Sequence, residues 1–451
     1  MTKKIILFAI SSCILFTSCK SKTIQDSSNT SSYLENPNGY EKVQINDNIN
    51  NLYLASNALP ATNNRYNTSP KILVVPVDFS DAPAYEKGYT VDKIKEAFIG
   101  NDENDRSVKN FYYQSSYGKC DLEIDIYPTW YRAKKEASVY ELYQGSNMDA
   151  VPAVTSIISD FIKDNDQSID FSEYDSNKDG YIDSIYFIYS HDVDYIGDQD
   201  LWWAFKYQYM GETLMADGVS PYSYVWAGYQ FMYENSQECN INTYIHELGH
   251  LFGLDDYYDY DMSRGESNGG LGGKDLMDHT VGDHNPFSKM LLGWANNPTI
   301  ITTKSELTID LKAFQREGDF LILTNNWDIN KGMFQEYFIL EYYTPDNVQE
   351  FDKIFTIPGI RVIHVNAEAG KYNNYLYFKN DNSYSDKKLI SLVAFYNGSK
   401  LLNGALATDA NLFTVGETLV TAKYNDGTKL NYSFTVDELS EDYATLTIKH
   451  S

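Results

Sequence analysis

The sequence predicts an α/β domain followed by a β-rich domain, and three observations support this. Apolar runs typical of buried strands alternate with segments of helical periodicity up to about residue 300. Beyond that point the alternation stops, and short strands separated by turn residues follow one another. The 451 residues, 43% of them hydrophobic, are enough for two or three domains with sizeable cores.

The N-terminus resembles a bacterial lipoprotein signal peptide covering residues 1–19. A positively charged MTKK precedes an apolar run, IILFAISSCILF, that is too short to span a bilayer as a helix. The next residues, Phe16-Thr17-Ser18-Cys19, resemble a lipobox with Phe in place of the usual Leu. We therefore expect Cys19 to carry a lipid that anchors the protein in the membrane at the bacterial cell surface. The alternative is plain secretion after cleavage nearby; both place the protein outside the cytoplasm.

Residues 20–69 are rich in Ser, Asn and Thr, as in SKTIQDSSNTSS and PATNNRYNTSP. Such segments have few apolar side chains to bury. They predict a flexible tether or a pro-segment.

The α/β domain is predicted to cover residues 70–300. A continuous apolar run bounded by turn or charged residues indicates a buried strand, and apolar residues at spacings of three and four indicate a helix. The elements in order are a strand in KILVVPVDF (71–79), a helix in SVKNFYYQSS (107–116), a strand in DLEIDIYP (121–128), a helix through 151–162 and a strand in SIYFIYS (184–190).

Residues 301–451 predict the β-rich domain, with a sandwich as the expected arrangement. The candidate strands are ELTIDL, FLILTN, EYFILEYY, GIRVIHVN, LISLVAFY, LNYSFTV and YATLTIKH.

Charge and cysteine content narrow the function classes. A formal net charge of −27 argues against a nucleic-acid partner, which requires basic surface. Only Cys120 and Cys239 lie in the predicted domains. One disulfide between them is an option outside the cytoplasm. Cys239 lies seven residues before His246, so a ligand role is an option for it, but a buried structural thiol is the preferred interpretation. Neither the charge nor the cysteine content indicates an oligomeric state.

The stretch HELGHLFGLDD (246–256) predicts a metal-binding helix. Its apolar residues lie on one stripe that faces a core (Ile241, Ile245, Leu248 and Phe252). His246 and His250 are four residues apart, so both imidazoles point the same way and can reach one Zn²⁺ ion. Glu247 lies between them, where it can take a proton from water at the metal without ligating it. The alternative is a solvated helix face with two ordinary histidines.

A third ligand is expected just after the helix. Gly253 can adopt a left-handed conformation that ends the helix and reverses the chain, which returns Asp256 to the metal. Asp255 is adjacent but points elsewhere, and Glu266 lies in a run too rich in glycine for a second ligand-bearing helix. His279 and His284 are the alternatives to Asp256.

These residues resemble the HExxHxxGxxD zinc site of metzincins, and the chain around them resembles peptidase family M6, the immune inhibitor A-like metalloproteases. DLMD (275–278) resembles the Met-turn, in which Met277 forms an apolar base under the metal. NPFSKMLLGW (285–294) resembles the helix that closes the family's catalytic domain. The resemblance covers about residues 70–300 and is weaker beyond. LWWAFKY (201–207) matches only loosely, and an Asp replaces the Pro before the last aspartate of the motif.

The resemblance implies a metzincin-like catalytic domain and a membrane-anchored zinc endopeptidase that acts on extracellular proteins or peptides. His246, His250 and Asp256 would hold the zinc, and Glu247 would be the general base for a zinc-activated water. Two alternatives belong to other classes. One is a cell-surface binding or adhesion protein with a degenerate protease domain, and the other is a zinc hydrolase that acts on a non-peptide substrate.

A second metal site is suggested by DSNKDGYID (175–183). Its side-chain oxygens and one carbonyl occupy positions 1, 3, 5, 7 and 9 of a calcium loop (Asp175, Asn177, Asp179, Tyr181 and Asp183), with Gly180 at position 6. Position 12 is Tyr186, and a strand follows instead of a helix, so a regulatory EF-hand is excluded. We predict a structural Ca²⁺ loop, with an Asp-rich solvated turn as the alternative.

Overall fold

The computed structural model describes residues 36–45, 52, 58–62, 69–102, 105–142, 150–195, 200–236, 239–260, 269–347, 353–385, 387–393, 398, 400–401 and 405–451. The fold is mixed α/β with several sheets, compatible with an α/β part followed by a β-rich part. Residues 33–451 group into one compact unit.

The secondary structure of the described residues follows the predicted order. The helices are α1 (Val91–Phe98), α2 (Val108–Ser115), α3 (Ala137–Glu141), α4 (Ala150–Asn165), α5 (Asn242–Leu251), α6 (Leu276–His279), α7 (Pro286–Leu291) and α8 (Phe314–Glu317). The strands up to residue 228 are β1 (Tyr40–Lys42), β2 (Lys71–Asp78), β3 (Glu123–Ile126), β4 (Tyr131–Arg132), β5 (Tyr181–Ile182), β6 (Ile185–Tyr189), β7 (Phe205–Gln208), β8 (Ser220–Pro221) and β9 (Ser223–Gly228); of these, β1 belongs to a sheet of the second part. The strands after residue 228 are β10 (Thr299–Ile301), β11 (Glu306–Lys312), β12 (Leu321–Leu323), β13 (Glu336–Tyr343), β14 (Gly359–Asn366), β15 (Ala369–Tyr372), β16 (Tyr375–Phe378), β17 (Ile390–Leu392), β18 (Thr418–Leu419), β19 (Tyr432–Leu439) and β20 (Tyr443–His450).

The sheet of the α/β part has the strand order β3-β2-β6-β9-β7, with β4 also paired to β2. All of its pairings are parallel except that of β7, which runs antiparallel to β9 at one edge. Successive side chains of a strand point to opposite faces of the sheet, so apolar side chains on both faces need to be covered. Helices cover both faces. On β6, Tyr186 packs against Phe98 and Tyr244, from α1 and α5, whereas Phe187 packs against Phe161 from α4.

The β-rich part contains a six-stranded sheet, β1-β10-β12-β13-β14-β17, and a four-stranded sheet, β11-β20-β19-β18. Alternate residues of the six-stranded sheet enter two different cores. Leu340 on β13 shares an apolar cluster with Leu446 of the four-stranded sheet. Its neighbour Ile339 belongs to the large core that also contains the α/β part. The six-stranded sheet therefore joins the core of the α/β part to the second sheet.

Parts of the predicted tether are integrated into this fold. Of residues 20–69, β1 pairs antiparallel with β10. The Leu59 backbone N–H donates to the Leu251 carbonyl at 2.8 Å, and Trp294 Nε1 donates to the Ala61 carbonyl at 2.6 Å. A free tether would make no such contacts, so these described stretches are packed segments. The signal peptide and Cys19 lie outside the described residues.

Two further sequence predictions concern membranes and cysteines. No helix in the described part of the chain is long and apolar enough to cross a membrane. Cys120 is free, so the optional disulfide between Cys120 and Cys239 is not formed. Cys120 is fully buried, and burial raises the pKa of its thiol. Cys239 is only half-buried, so it is less buried than the structural thiol that the sequence predicts, and it does not belong to the group of possible metal ligands among the described residues.

Candidate metal centre

Helix α5 is fixed by apolar packing and by tyrosine hydroxyls from neighbouring elements. The predicted stripe is completely buried, comprising Ile241, Ile245, Leu248 and Phe252. Tyr112 donates to the Ile245 carbonyl at 2.6 Å, and Tyr186 donates to the Tyr244 carbonyl at 3.1 Å. The opposite, polar side of the helix thereby presents its histidines at a defined position and angle.

Three side chains converge at the end of α5. Asp256 Oδ1 lies 3.0 Å from His246 Nε2 and 3.3 Å from His250 Nε2, and the carboxylate is only 5% exposed. The ligand atoms all lie within 4.8 Å of one another. Tetrahedral zinc with bonds of about 2.1 Å separates its ligand atoms by about 3.4 Å. The spacing of the three atoms is therefore compatible with one bound Zn²⁺.

Both imidazoles are held in the tautomer that metal binding requires. His246 Nδ1 lies 2.8 Å from the Leu276 carbonyl oxygen, and His250 Nδ1 lies 2.8 Å from the Leu254 carbonyl oxygen. A carbonyl can only accept, so each Nδ1 carries the proton. In the neutral ring, the Nε2 lone pair then points towards Asp256, as in metal-ligating histidines.

Gly253 makes the bend that returns the chain to the histidines. Its φ of +95° lies in the region that favours glycine. The Gly253 N–H donates to the His250 carbonyl at 3.0 Å, and the Leu254 N–H donates to the Gly249 carbonyl at 3.1 Å. This pair of bonds is a Schellman motif, which ends α5 and sends the next residues back along the helix.

Met277 lies beneath the same helix. It is fully buried on α6, and a Cβ added at Gly249 would come within 2.7 Å of its sulfur. Glycine at 249 therefore lets the methionine approach the turn of helix that connects the two histidines. The preceding residue of α6, Leu276, supplies the carbonyl that orients His246. The DLMD segment thus contacts the site through both backbone and side chain.

Glu247 lies beside the three converging side chains and is 6% exposed. Its Oε2 has no hydrogen-bond partner among the described residues. Burial raises the pKa of this carboxyl, although His250, His246 and the backbone N–H of Lys206 oppose the shift. A buried carboxylate with an unused oxygen can accept a proton from a bound water molecule.

The electrostatics of the cluster favour a cation. Burial lowers the pKa of His250, but the Asp256 and Glu247 carboxylates outweigh it and raise that pKa to about 10. The pKa of Asp256 lies below its usual range because the two histidines outweigh the effect of burial. With both imidazoles neutral, Asp256 and Glu247 would leave two buried negative charges, which are costly unless compensated. One divalent cation balances them.

The other candidate ligands do not join the cluster. Among the described residues, the single group of acidic, histidine and cysteine side chains close enough to hold a metal contains Asp256 but not Asp255. His279 is exposed, and His284 is buried behind α5, where its Nδ1 lies 3.3 Å from Ser115 Oγ. Glu266 lies outside the described residues.

In the part of the chain that the structure describes, the aspartates of the predicted calcium loop are hydrogen-bonded to the loop's own backbone. Asp175, Asp179 and Asp183 do not form a group with ligand atoms within 4.8 Å of one another. Their oxygens accept backbone N–H groups of the loop instead, such as Gly180 N to Asp175 Oδ2 at 3.0 Å and Ser176 N to Asp183 Oδ2 at 2.7 Å. The calcium site, with Asn177 and Tyr181 as further ligands, stays a prediction.

Tyr260 and Tyr258 contact the carboxylate cluster although the sequence did not single them out. The Tyr260 hydroxyl donates to Asp256 Oδ2, which leaves Oδ1 for the histidine side. Burial raises the pKa of Tyr258, and the nearby Asp256 and Glu247 charges raise it further. Tyrosine is so abundant in this chain that its position after the motif carried no distinguishing signal.

No protein-family model matches the chain, and no curated protein sequence matches it. The resemblance to family M6 stays a prediction from the sequence.

Proposed function

We propose that this protein is a zinc endopeptidase. The observation that carries the proposal is the convergence of His246 Nε2, His250 Nε2 and Asp256 Oδ1 beside the buried carboxylate of Glu247. The donor set of two imidazoles and one carboxylate suits Zn²⁺. An ordinary helix face would not bury four titratable side chains together, so it gives a poorer account of the arrangement.

Bound zinc would supply a Lewis acid that polarises the scissile carbonyl. It would also lower the pKa of a bound water molecule to near neutral pH. The residues of the chain provide the remaining functions. Glu247 accepts the proton of the attacking water and delivers it to the nitrogen of the leaving amine. Tyr260 holds the Asp256 carboxylate by its Oδ2, and the Leu276 and Leu254 carbonyls fix the two imidazole rings.

The position of β7 favours a peptide as the substrate. This strand is the last of its sheet in the described part of the chain, so its outer edge is not paired with another strand there. Its residue Lys206 lies close enough to Glu247 for the backbone N–H to lower the pKa of the carboxyl. An extended peptide can add to such an edge through backbone hydrogen bonds. A substrate bound in this way would pass directly beside the general base.

The finer assignments form part of the same proposal. The α/β part would be a metzincin-like catalytic domain of the M6 type, with Met277 in the Met-turn, and the two sheets after residue 301 would form a sandwich. The lipobox pattern at Cys19 supports a lipid anchor on the bacterial cell surface. The natural substrates would then be extracellular proteins or peptides.

The test is metal analysis of the purified protein beside a proteolysis assay on casein. We expect about one equivalent of zinc, casein hydrolysis, loss of hydrolysis with a zinc chelator, and recovery when zinc is restored. A protein that binds zinc and cleaves no peptide bond would be a non-peptidase hydrolase. A protein that neither binds zinc nor cleaves casein would fit the adhesion alternative. Either result would contradict the proposal.

We also propose that calcium stabilises the 175–183 loop. Burial raises the pKa of Asp183 to about 7, and the Asp175 and Asp179 charges add to this, so a cation would relieve the repulsion between ionised carboxylates. With a Kd of about 0.1–1 mM, 10 mM Ca²⁺ would stabilise the fold by about 1.4–2.7 kcal/mol. We expect a rise of a few degrees in Tm, measured by calorimetry.

The control for calcium is Asp175→Asn beside Asp166→Asn, an exposed aspartate outside the loop. The first variant should lose the calcium-dependent rise in Tm, and the second should keep it. An equal rise in both variants would show that calcium acts elsewhere.

A further inference from the structure

The backbone of the segment that follows Asp256 is hydrogen-bonded to its neighbours on both sides. The Tyr257 N–H donates to the Met277 carbonyl at 2.7 Å. The Tyr257 carbonyl accepts from Asn382 Nδ2 at 2.8 Å, across 125 positions of sequence. One side of this segment is therefore attached to the α/β part and the other to the β-rich part. Because Tyr257 is the next residue after the carboxylate ligand, these bonds fix the backbone on which Asp256 is carried.

Asn382 connects that backbone to strand β17. Its second N–H donates to the Ile390 carbonyl at 3.0 Å, and its Oδ1 accepts the Ile390 N–H at 3.1 Å. The residue is 2% exposed, so water offers little replacement for these bonds. Alanine at this position would leave the Tyr257 carbonyl without its donor.

Two more residues of the same loop contact the ligand segment. Ser383 Oγ accepts the Tyr260 N–H at 2.9 Å and donates to the Tyr258 carbonyl at 3.3 Å. Lys388 Nζ lies 3.2 Å from Asp259 Oδ2, and both side chains are largely or fully buried. We call Asn382, Ser383 and Lys388 the C-terminal clamp. It contacts every residue from 257 to 260.

The glycine-rich stretch before α6 packs against both the ligand segment and strand β17. A Cβ at Gly269 would fall 1.7 Å from the Tyr257 carbonyl oxygen, and a Cβ at Gly270 would fall 2.2 Å from the Ile390 carbonyl oxygen. Only glycine fits at these two positions. The three segments therefore form a close-packed stack in which a shift of β17 is transmitted to the Asp256 backbone.

We propose that the C-terminal clamp is a positioning device for Asp256, so that the β-rich part completes the metal centre. This inference rests on the proposed function, because it requires zinc at the cluster. Metal affinity depends on how well the ligands are held before the ion arrives, and loss of a residue that orients a ligand costs about 10–100-fold in affinity. The clamp acts through the backbone, and none of its side chains belongs to the group formed by His246, His250 and Asp256.

The test is zinc affinity of the full-length protein, measured by competition with a chromophoric chelator, for wild type and Asn382→Ala. We expect about 10–100-fold weaker zinc binding in the variant. Ser383→Ala keeps Asn382 and should weaken binding in the same direction by a smaller factor. It provides the measurement if the asparagine variant does not fold.

The matched control is Asn325→Ala. The Asn325 side chain also holds a distant backbone segment of the β-rich part, since it donates to the Lys429 carbonyl at 2.9 Å and accepts the Asn431 N–H at 2.7 Å. Both alanine variants should lower the Tm of the zinc-free protein, but only Asn382→Ala should lower zinc affinity. Unchanged affinity in the clamp variants, or equal losses in clamp and control, would overturn the inference and leave the peptidase proposal standing. A wild-type protein that binds no zinc would overturn both.

Discussion

Replacing Glu247 by glutamine is expected to reduce peptide hydrolysis by about 100- to 10,000-fold, the range over which a general acid–base contributes. Glutamine has nearly the same shape but cannot accept the proton of the attacking water. The Glu247 side chain lies beside the three converging ligand atoms and supplies none of them. Zinc content should therefore stay at the wild-type value. Turnover of casein and zinc content of the same sample provide the two measurements.

Glu247→Ala should lose hydrolysis to the same extent, and an exposed acid, Glu212→Gln, should leave it unchanged. The alanine variant removes the carboxylate without adding an amide, which separates the loss of the base from any new hydrogen bond. Full activity in the alanine variant would contradict the mechanism. Loss of zinc in both Glu247 variants would assign the residue to metal binding instead of proton transfer.

The part of the site that the sequence predicted is encoded locally. His246 and His250 lie one helical turn apart, so their common direction follows from helix periodicity alone. Gly253 adopts φ +95°, as expected for a glycine that directly follows the last apolar residue of a helix. Asp256 joins the histidines because that bend reverses the chain within three residues. Each step depends on residues close in sequence, so the arrangement was readable without a structure.

The contacts of the site between residues distant in sequence have no comparable pattern in the sequence. The Asn382 bond to Tyr257 spans 125 positions, and a single asparagine in a polar loop has no periodicity. The glycines at 269–273 were interpreted only as unsuitable for a second ligand-bearing helix. Their actual role is the close approach of Tyr257 and β17. A cluster of glycines just before a motif was the signal that could have indicated such a stack.

Composition was a less reliable guide than periodicity. The alternating and apolar runs located seven of the eleven described strands after residue 228, as for β13 (Glu336–Tyr343) and β14 (Gly359–Asn366), but only three of the nine before it. The polar composition of 20–69 predicted a flexible tether or a pro-segment, and within it Leu59 is 1% exposed and bonded to the end of α5. A few buried residues are enough to attach a mainly polar segment. The average composition of the segment does not reveal these few buried residues.

Asp256→Ala is expected to weaken zinc binding by more than about 100-fold, whereas Asp255→Ala should leave it close to wild type. Loss of a residue that merely orients a ligand already costs about 10–100-fold, and Asp256 would be a ligand itself. Its Oδ1 is the atom that lies within 3.3 Å of both imidazole nitrogens. Asp255 is outside the cluster and is the matched control, because it is the same residue type one position away.

The two aspartate variants also test how the bend at Gly253 acts. If the chain reversal alone decided the ligand, either carboxylate could rotate into the site, and each single variant would keep substantial affinity. The bonds at Tyr257 argue against this, because its N–H and carbonyl are both used and fix the register of the segment. Competition titrations with a chromophoric chelator should therefore give a large difference between the variants. Equal affinities would mean that the register is free, and Asp256 would lose its assignment as the third ligand.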